Sequence, residues 1–252
     1  MYTPGLVSVS FRRLTPEQVL HLCRQAKLEA VEWGGDIHVP AGDEAHARKI
    51  ASISMDSGVK IASYGSYFRA GDSMDVFRRN LDTACALGAP VIRVWAGTKG
   101  SGDCTSQERS AWVDQLCAAN EMAGKQGVIL AAEFHPGTLT DALGSVARLL
   151  KEAPGMRMYW QPRWDWPEQD RLEGLKLLGG RLMHMHVFSW RHVNGGVLRL
   201  PLKDGEAFWQ KVFSQPREQC YALMEFVEND DPQALLRDAR VLRGWLCPGA
   251  EK

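Results

Sequence analysis

Short apolar runs alternate with longer amphipathic segments along the whole chain, and they do so eight times. Strands of this kind are expected at Leu6 to Phe11, Ala30 to Trp33, Val59 to Tyr64 and Pro90 to Ala96, then at Val128 to His135, Met156 to Gln161, Leu182 to Phe188 and Tyr221 to Val227. Helices are expected between them. They start near Thr15, cover Asp43 to Gly58, Ser73 to Gly88, Thr105 to Lys125, Asp141 to Ala153, Glu168 to Leu178 and Gly205 to Phe213, and close with Pro232 to Leu246. Thr15-Pro16-Glu17-Gln18 carries a helix start, with Thr15 as cap and Gln18 completing a capping box. Gly88 is a helix stop of the expected kind. Strand alternating with helix predicts a parallel sheet. Eight units without a composition break predict closure: an α/β chain folded as one (β/α)₈ (TIM) barrel over residues 1–252. The length of 252 residues suits such a barrel, which typically takes roughly 250.

Charge narrows the partners. Lys plus Arg number 30 and Asp plus Glu number 30. That balance offers no basic field for a polyanion, so no nucleic-acid partner is expected. No run approaches the ~18 apolar residues of a membrane helix, and the first residues lack the pattern of a secretion signal. The six cysteines are scattered and form no C-x-x-C pair, which fits free thiols and a cytoplasmic location. Self-association as a homo-oligomer is compatible with the sequence. No G-x-G-x-x-G, P-loop or G-x-S-x-G motif is present.

Buried parallel strands should be apolar almost throughout, so their polar residues carry information. Glu133 ends the run Val-Ile-Leu-Ala-Ala. Gln161 ends Met-Tyr-Trp, His184 and His186 alternate in Leu-Met-His-Met-His-Val, and Glu225 ends Tyr-Ala-Leu-Met. Arg93 interrupts Val-Ile-Arg-Val-Trp. Except for His184 and Arg93, these lie at C-terminal strand ends, the active face of such a barrel. Two carboxylates, an imidazole and an amide oxygen could converge there, a donor set that suits Mn²⁺, Mg²⁺, Co²⁺ or Zn²⁺. The plainer reading is salt bridging of these carboxylates to Arg93, Arg157 or Arg163.

The chain resembles the xylose-isomerase-like barrels, a superfamily of sugar isomerases and epimerases that includes inosose dehydratases and hydroxypyruvate isomerases. The residues that carry the resemblance are Val31-Glu32-Trp33-Gly34-Gly35-Asp36, Gly88-Ala89-Pro90-Val91-Ile92-Arg93, Glu133-Phe134-His135, His184-Met185-His186-Val187 and Glu225. The resemblance implies a divalent metal held by Glu133, Gln161, His186 and Glu225. Gln161 departs from the family pattern, which has Asp there. It also implies a sugar or polyol isomerase or epimerase acting through an enediolate, with Glu133 and Glu225 as the acid–base pair. The alternatives are an inosose-type dehydratase and a non-catalytic sugar-binding barrel. Candidate contacts to a small sugar or polyol are Trp33, His38, Tyr64, Arg93, Trp95, His135, Trp164 and Arg191. Trp190 and His192 follow the seventh strand, and Asn194-Gly195-Gly196 reads as a turn.

Overall fold

The structure, a computed structural model, describes residues 2–193, 196–215 and 219–247. Strands β1 (Tyr2–Val7), β2 (Ala30–Gly34), β3 (Lys60–Arg69) and β4 (Val91–Trp95) form one half of a closed parallel barrel. Strands β5 (Ile129–Glu133), β6 (Arg157–Trp160), β7 (Leu182–Val187) and β10 (Cys220–Met224) form the other half. Each pairs with its neighbours in sequence order, and β10 closes on β1 through Tyr2↔Cys220 to Leu6↔Met224. The helices are α1 (Pro16–Gln25), α2 (Glu44–Ser57), α3 (Met74–Leu87), α4 (Ser106–Lys125), α5 (Leu143–Glu152), α6 (Glu168–Leu178), α7 (Glu206–Phe213) and α8 (Pro232–Leu246). The expected barrel is therefore the observed one.

Local signals account for the helix ends. The Gln18 amide donates to Thr15 Oγ1 at 3.3 Å, and the Thr15 amide donates back to Gln18 Oε1 at 2.8 Å. Gly88 sits at φ 70°, the left-handed stop that a side chain would resist.

Two expectations need correction. The first strand runs over Tyr2–Val7, and Ser8–Phe11 is a 3₁₀ turn. Pro4 and Gly5 look like strand breakers, yet Gly5 is what the barrel needs there. A Cβ on it would lie 2.5 Å from Leu223 Cδ2 and 2.7 Å from the Ala30 carbonyl oxygen. The segment after β7, for which no strands were expected, is an antiparallel hairpin of β8 (Ser189–Val193) and β9 (Gly196–Leu200). Asn194 and Gly195, the expected turn, lie outside the described residues.

Alternation along the strands sorts the core, broken by a register shift at Ala62 in β3. One parity faces the helices and builds the main apolar layer, including Trp33, Tyr64, Ile92, Phe134, Trp160 and Met185. The other parity fills the barrel with Val7, Ala30, Ala62, Val91, Ala131, Tyr159 and Leu223. Three of those seven are alanines, which leaves room for the ring of Tyr159 and for the polar layer directly above.

Candidate active site

The polar layer is built by the inward parity, one turn of side chains nearer the C-terminal strand ends. Glu32 on β2, Arg93 on β4, Glu133 on β5 and His186 on β7 are all buried. Arg93 joins two carboxylates: its Nε donates to Glu32 Oε1 at 2.9 Å, and its Nη1 donates to Glu133 Oε2. Trp95 Nε1 donates to the same Glu133 oxygen at 2.5 Å. Glu32 Oε2 accepts from Ser63 Oγ at 2.8 Å, and Ser63 Oγ lies 3.1 Å from the Tyr159 hydroxyl. Gly65 keeps the space open, since a Cβ there would lie 2.7 Å from Glu32 Oε1 and 2.9 Å from Arg93 Nη2.

His186 Nδ1 is the point of convergence. Gln161 Oε1 lies 2.9 Å away, Glu225 Oε2 3.1 Å and Glu133 Oε1 3.2 Å. Burial opposes charge on the imidazole, but Glu225, Glu133 and Glu32 outweigh it and hold its pKa well above the ordinary value. Burial likewise works against the carboxylates. Arg93 overcomes it, lowering Glu32 and bringing Glu133 down to about 2. Glu133 is thus a fixed anion, with one oxygen taken by Arg93 and Trp95 and the other facing His186. His184 lies one layer deeper, packed edge-on against Tyr159 and Tyr221, and burial lowers it to about 4.

Gln161 bears on the expected metal. Among the described residues no group of three or more His, Cys, Asp and Glu side chains could hold a metal ion as it stands. The donor chemistry nevertheless suits one. Gln161 Oε1 faces the acceptors Glu133 Oε1 and Glu225 Oε2, and two arrangements remove that conflict. In the first the amide turns over, and its two N–H groups donate to Glu225 Oε2 at 2.8 Å and Glu133 Oε1 at 3.2 Å. In the second a cation lies among the oxygens. Adjacent ligands of an octahedral ion bound at roughly 2.1 Å are about 3.0 Å apart, close to the spacings seen here.

Above this floor opens a cavity of about 270 Å³. Arg93, Trp95, Glu133, His135, Gln161 and Glu225 line it from within. Arg12, Tyr67, Arg199 and Phe226 line its mouth, with Val9 and Ser10. Arg12 pairs with Asp36 and donates to the Tyr67 hydroxyl at 2.9 Å. Arg199 donates to Asp230 at 2.5 Å and to the Val227 carbonyl at 3.3 Å. A third arginine, Arg69, stands 4.2 Å over the Trp95 ring. His135 packs on Trp95 with ring centres 4.7 Å apart. Its Nδ1 lies 2.8 Å from the Pro136 carbonyl oxygen. A carbonyl only accepts, so Nδ1 carries the hydrogen and Nε2 presents a lone pair. Burial lowers the imidazole's pKa and favours this neutral form.

The structure brings Glu133, Gln161, His186 and Glu225 together, and it places Arg93, Trp95 and His135 on the same cavity. Five expected contacts lie elsewhere. Trp33 has the opposite parity and donates to Ser54 Oγ on α2 at 3.2 Å. Tyr64, also in the helix-facing layer, donates to the Val39 carbonyl at 3.1 Å. His38 is buried between Ser8 Oγ at 2.9 Å and the Leu14 carbonyl at 3.1 Å. Trp164 stacks on His192 at 5.0 Å, and Arg191 lines a different cavity. Arg93 reaches the cavity wall, but its charge is committed to Glu32 and Glu133. Residues not singled out from sequence are Glu32, Ser63 and Tyr159 below the floor, and Arg12, Tyr67, Arg199 and Phe226 at the mouth. Glu32 could have been found by the rule that found Glu133, a charge within an apolar strand.

Comparison with known proteins agrees with this architecture. Residues 20–244 match the family model described as xylose isomerase-like TIM barrel, and the chain belongs to that family. A 3-dehydroshikimate dehydratase from Bacillus anthracis is 32% identical over 170 residues, 60% of this chain. The match spans 61% of that relative's length. The crystal structure of a probable 3-DHS dehydratase of petrobactin synthesis, also from Bacillus anthracis, superposes with a TM-score of 0.81. It is 20% identical, over 96% of this chain and 99% of that one. A xylose isomerase-like barrel from Mycobacterium smegmatis in complex with magnesium superposes with a TM-score of 0.71 at 12% identity, covering 98% of each chain. At these identities the two structural matches speak for the fold.

Proposed function

We propose that this barrel dehydrates a small hydroxy-keto acid of the 3-dehydroshikimate kind. The isomerase or epimerase reaction suggested by the family resemblance is the second choice. One observation carries the reading: the cavity is divided by charge. Glu133 and Glu225 line its floor, where Arg93 is already paired with Glu133, while Arg12 and Arg199 stand at its mouth. Arg12 and Arg199 keep N–H donors beyond their pairs with Asp36 and Asp230, and an acid gains more from them than a neutral sugar does, placing its carboxylate there and its keto and hydroxyl oxygens on the floor. The 32% identical dehydratase acts on a molecule of that description.

The chain's own groups suffice to describe the proton path. His135 Nε2 takes the proton from the carbon beside the substrate carbonyl, and the bonding pair moves into the carbonyl as an enolate. The enolate expels the hydroxyl on the next carbon. His135, now an imidazolium, gives the proton to the departing oxygen, which leaves as water. A ring ketone with further hydroxyls then enolises to an aromatic carboxylate. Proton transfer therefore moves from the Glu133–Glu225 pair to His135, because Glu133 has neither oxygen free. Glu225 accepts a substrate hydroxyl. Glu133, Gln161, His186 and Glu225 would hold a divalent ion, which when bound polarises the carbonyl as a Lewis acid.

The test is substrate preference. Acidic hydroxy ketones should be turned over, and neutral ketoses of the same size should not. Equal turnover of neutral ketoses contradicts the reading. The metal role has its own check. Gln161→Asp adds a carboxylate to the donor set, and ligand charge is one determinant of affinity. Calorimetry should show about tenfold tighter Mn²⁺ binding in the variant, on the order of 1.4 kcal/mol. Unchanged or weaker binding would mean that Gln161 serves the substrate or the turned-over amide network.

A further inference from the structure

A second and larger cavity, of about 530 Å³, lies beside the hairpin β8–β9. Its walls are strongly aromatic: Phe188, Trp190, Phe208 and Trp209 all contribute. Trp160 underpins them, with its ring centre 6.2 Å from Phe208 and 6.0 Å from Trp209.

Two guanidinium groups face the same space. Arg171 is half-buried, and its Nε and Nη2 donate to the carbonyls of Trp166 at 2.9 Å and Trp164 at 3.0 Å. Those bonds fix the group 5.8 Å over the Phe208 ring. Among the described residues no carboxylate comes within ion-pair distance of Arg171, and its Nη1 has no protein partner. Arg191 stands at the edge of the cavity, exposed and also without an ion pair among the described residues. Asp204 is the single acid in the wall, and Ser189 adds a hydroxyl. Glu168 and Asp165 act on Arg171 from a distance, but neither forms an ion pair with it. A positioned guanidinium with no direct carboxylate partner, beside aromatic faces, matches a flat ring bearing an anionic group: stacking holds the ring and the fork of N–H donors holds the carboxylate.

We propose that this cavity is a second binding site for an aromatic carboxylate, separate from the reaction cavity. If the dehydration reading holds, on which this further step rests, the class bound there is that of the enzyme's own product. The two sites share a wall. Phe188 and Trp190, which line the second cavity, pack on Phe226 of the first at 5.3 and 5.1 Å. Arg199 lines the first cavity and its neighbour Leu200 the second, on opposite faces of β9. Occupation of the second cavity therefore bears on the strand that carries Arg199.

The experiment is calorimetry and tryptophan fluorescence with 3,4-dihydroxybenzoate as probe and 3,4-dihydroxybenzyl alcohol as the neutral control. In the wild-type protein the acid should bind with quenching from Trp190 and Trp209, and the alcohol at least tenfold more weakly. Arg171→Gln should weaken the quenching site at least tenfold, and Arg199→Gln should leave it within twofold. Because Arg171 also holds two loop carbonyls, Arg191→Gln serves as a second variant. Arg191 is exposed, so its loss does not threaten folding, and a threefold or greater weakening is expected. Binding that neither Arg171→Gln nor Arg191→Gln alters, equal binding of the neutral alcohol, or no binding at all would overturn the proposal. Binding at this site in a protein that dehydrates no hydroxy-keto acid would sustain the second site and sink the reaction assigned to the first.

Discussion

Replacing Arg93 by Met should destabilise the barrel by about 3–5 kcal/mol, the usual cost of removing one partner from a buried ion pair. Arg93 neutralises two buried carboxylates at once, Glu32 and Glu133, so the upper end of that range is expected. Methionine fills much of the space, so the loss is electrostatic more than volumetric. The sign of the pH dependence follows from the pKa directions. In the native protein Arg93 holds Glu133 and Glu32 below their ordinary value of 4.5, and burial alone would raise them. Their contribution to stability is therefore present at neutral pH. It is lost as pH falls from the ordinary carboxylate range towards about 2, the folded-state value of Glu133. In the variant burial is opposed chiefly by His186, so both carboxylates titrate higher than in the wild type, and the folded chain regains stability by taking up protons as pH falls. The gap between wild type and Arg93→Met should be widest at neutral pH and should narrow under acid. Urea unfolding at a series of pH values measures it. A gap below about 1 kcal/mol at neutral pH would show that the carboxylates are satisfied without the arginine.

The largest effect on activity is expected at His135. His135→Gln keeps a polar side chain of similar reach but cannot shuttle a proton, and positioned acid–base groups typically supply about 10²- to 10⁴-fold. Turnover should fall by that factor while substrate affinity, read by calorimetry, changes little. The neighbouring carboxylate provides the contrast. Were Glu225 the proton carrier, Glu225→Gln would show the greater loss in turnover and His135→Gln the lesser. That ordering would return the proton transfer to the pair first suggested by the family resemblance.

Much of this site was legible before any coordinates, because polar residues inside buried strands are few and each demands a partner. Glu133, Gln161, His186 and Glu225 were found in that way, and strand alternation brings them to one end of the barrel. The same alternation, applied strictly, would have removed Trp33, whereas Tyr64 is turned from the face of Ala62 by a register shift in β3 that periodicity does not show. Trp33 neighbours Glu32, so only one of the two can face inward, and the charged one does. Arg12 and Arg199 were out of reach for a different reason. They sit outside the barrel strands, on the turn after β1 and on the β8–β9 hairpin, and no periodicity says where such segments fold back. His38 misled through its loop position: its ring is held by Ser8 and Leu14, contacts that exist only once the first loop closes over the second.

Dehydration of an acid changes both absorbance and mass, so turnover can be followed by both. The purified protein, supplied with Mn²⁺, is mixed with 3-dehydroshikimate and followed by near-ultraviolet absorbance and mass spectrometry. A new absorbing product lighter than the substrate by one water is expected, formed catalytically and abolished in His135→Gln. An unchanged acid, together with deuterium from solvent entering a neutral ketose at the carbon beside its carbonyl, would contradict dehydration and identify an epimerase or isomerase instead.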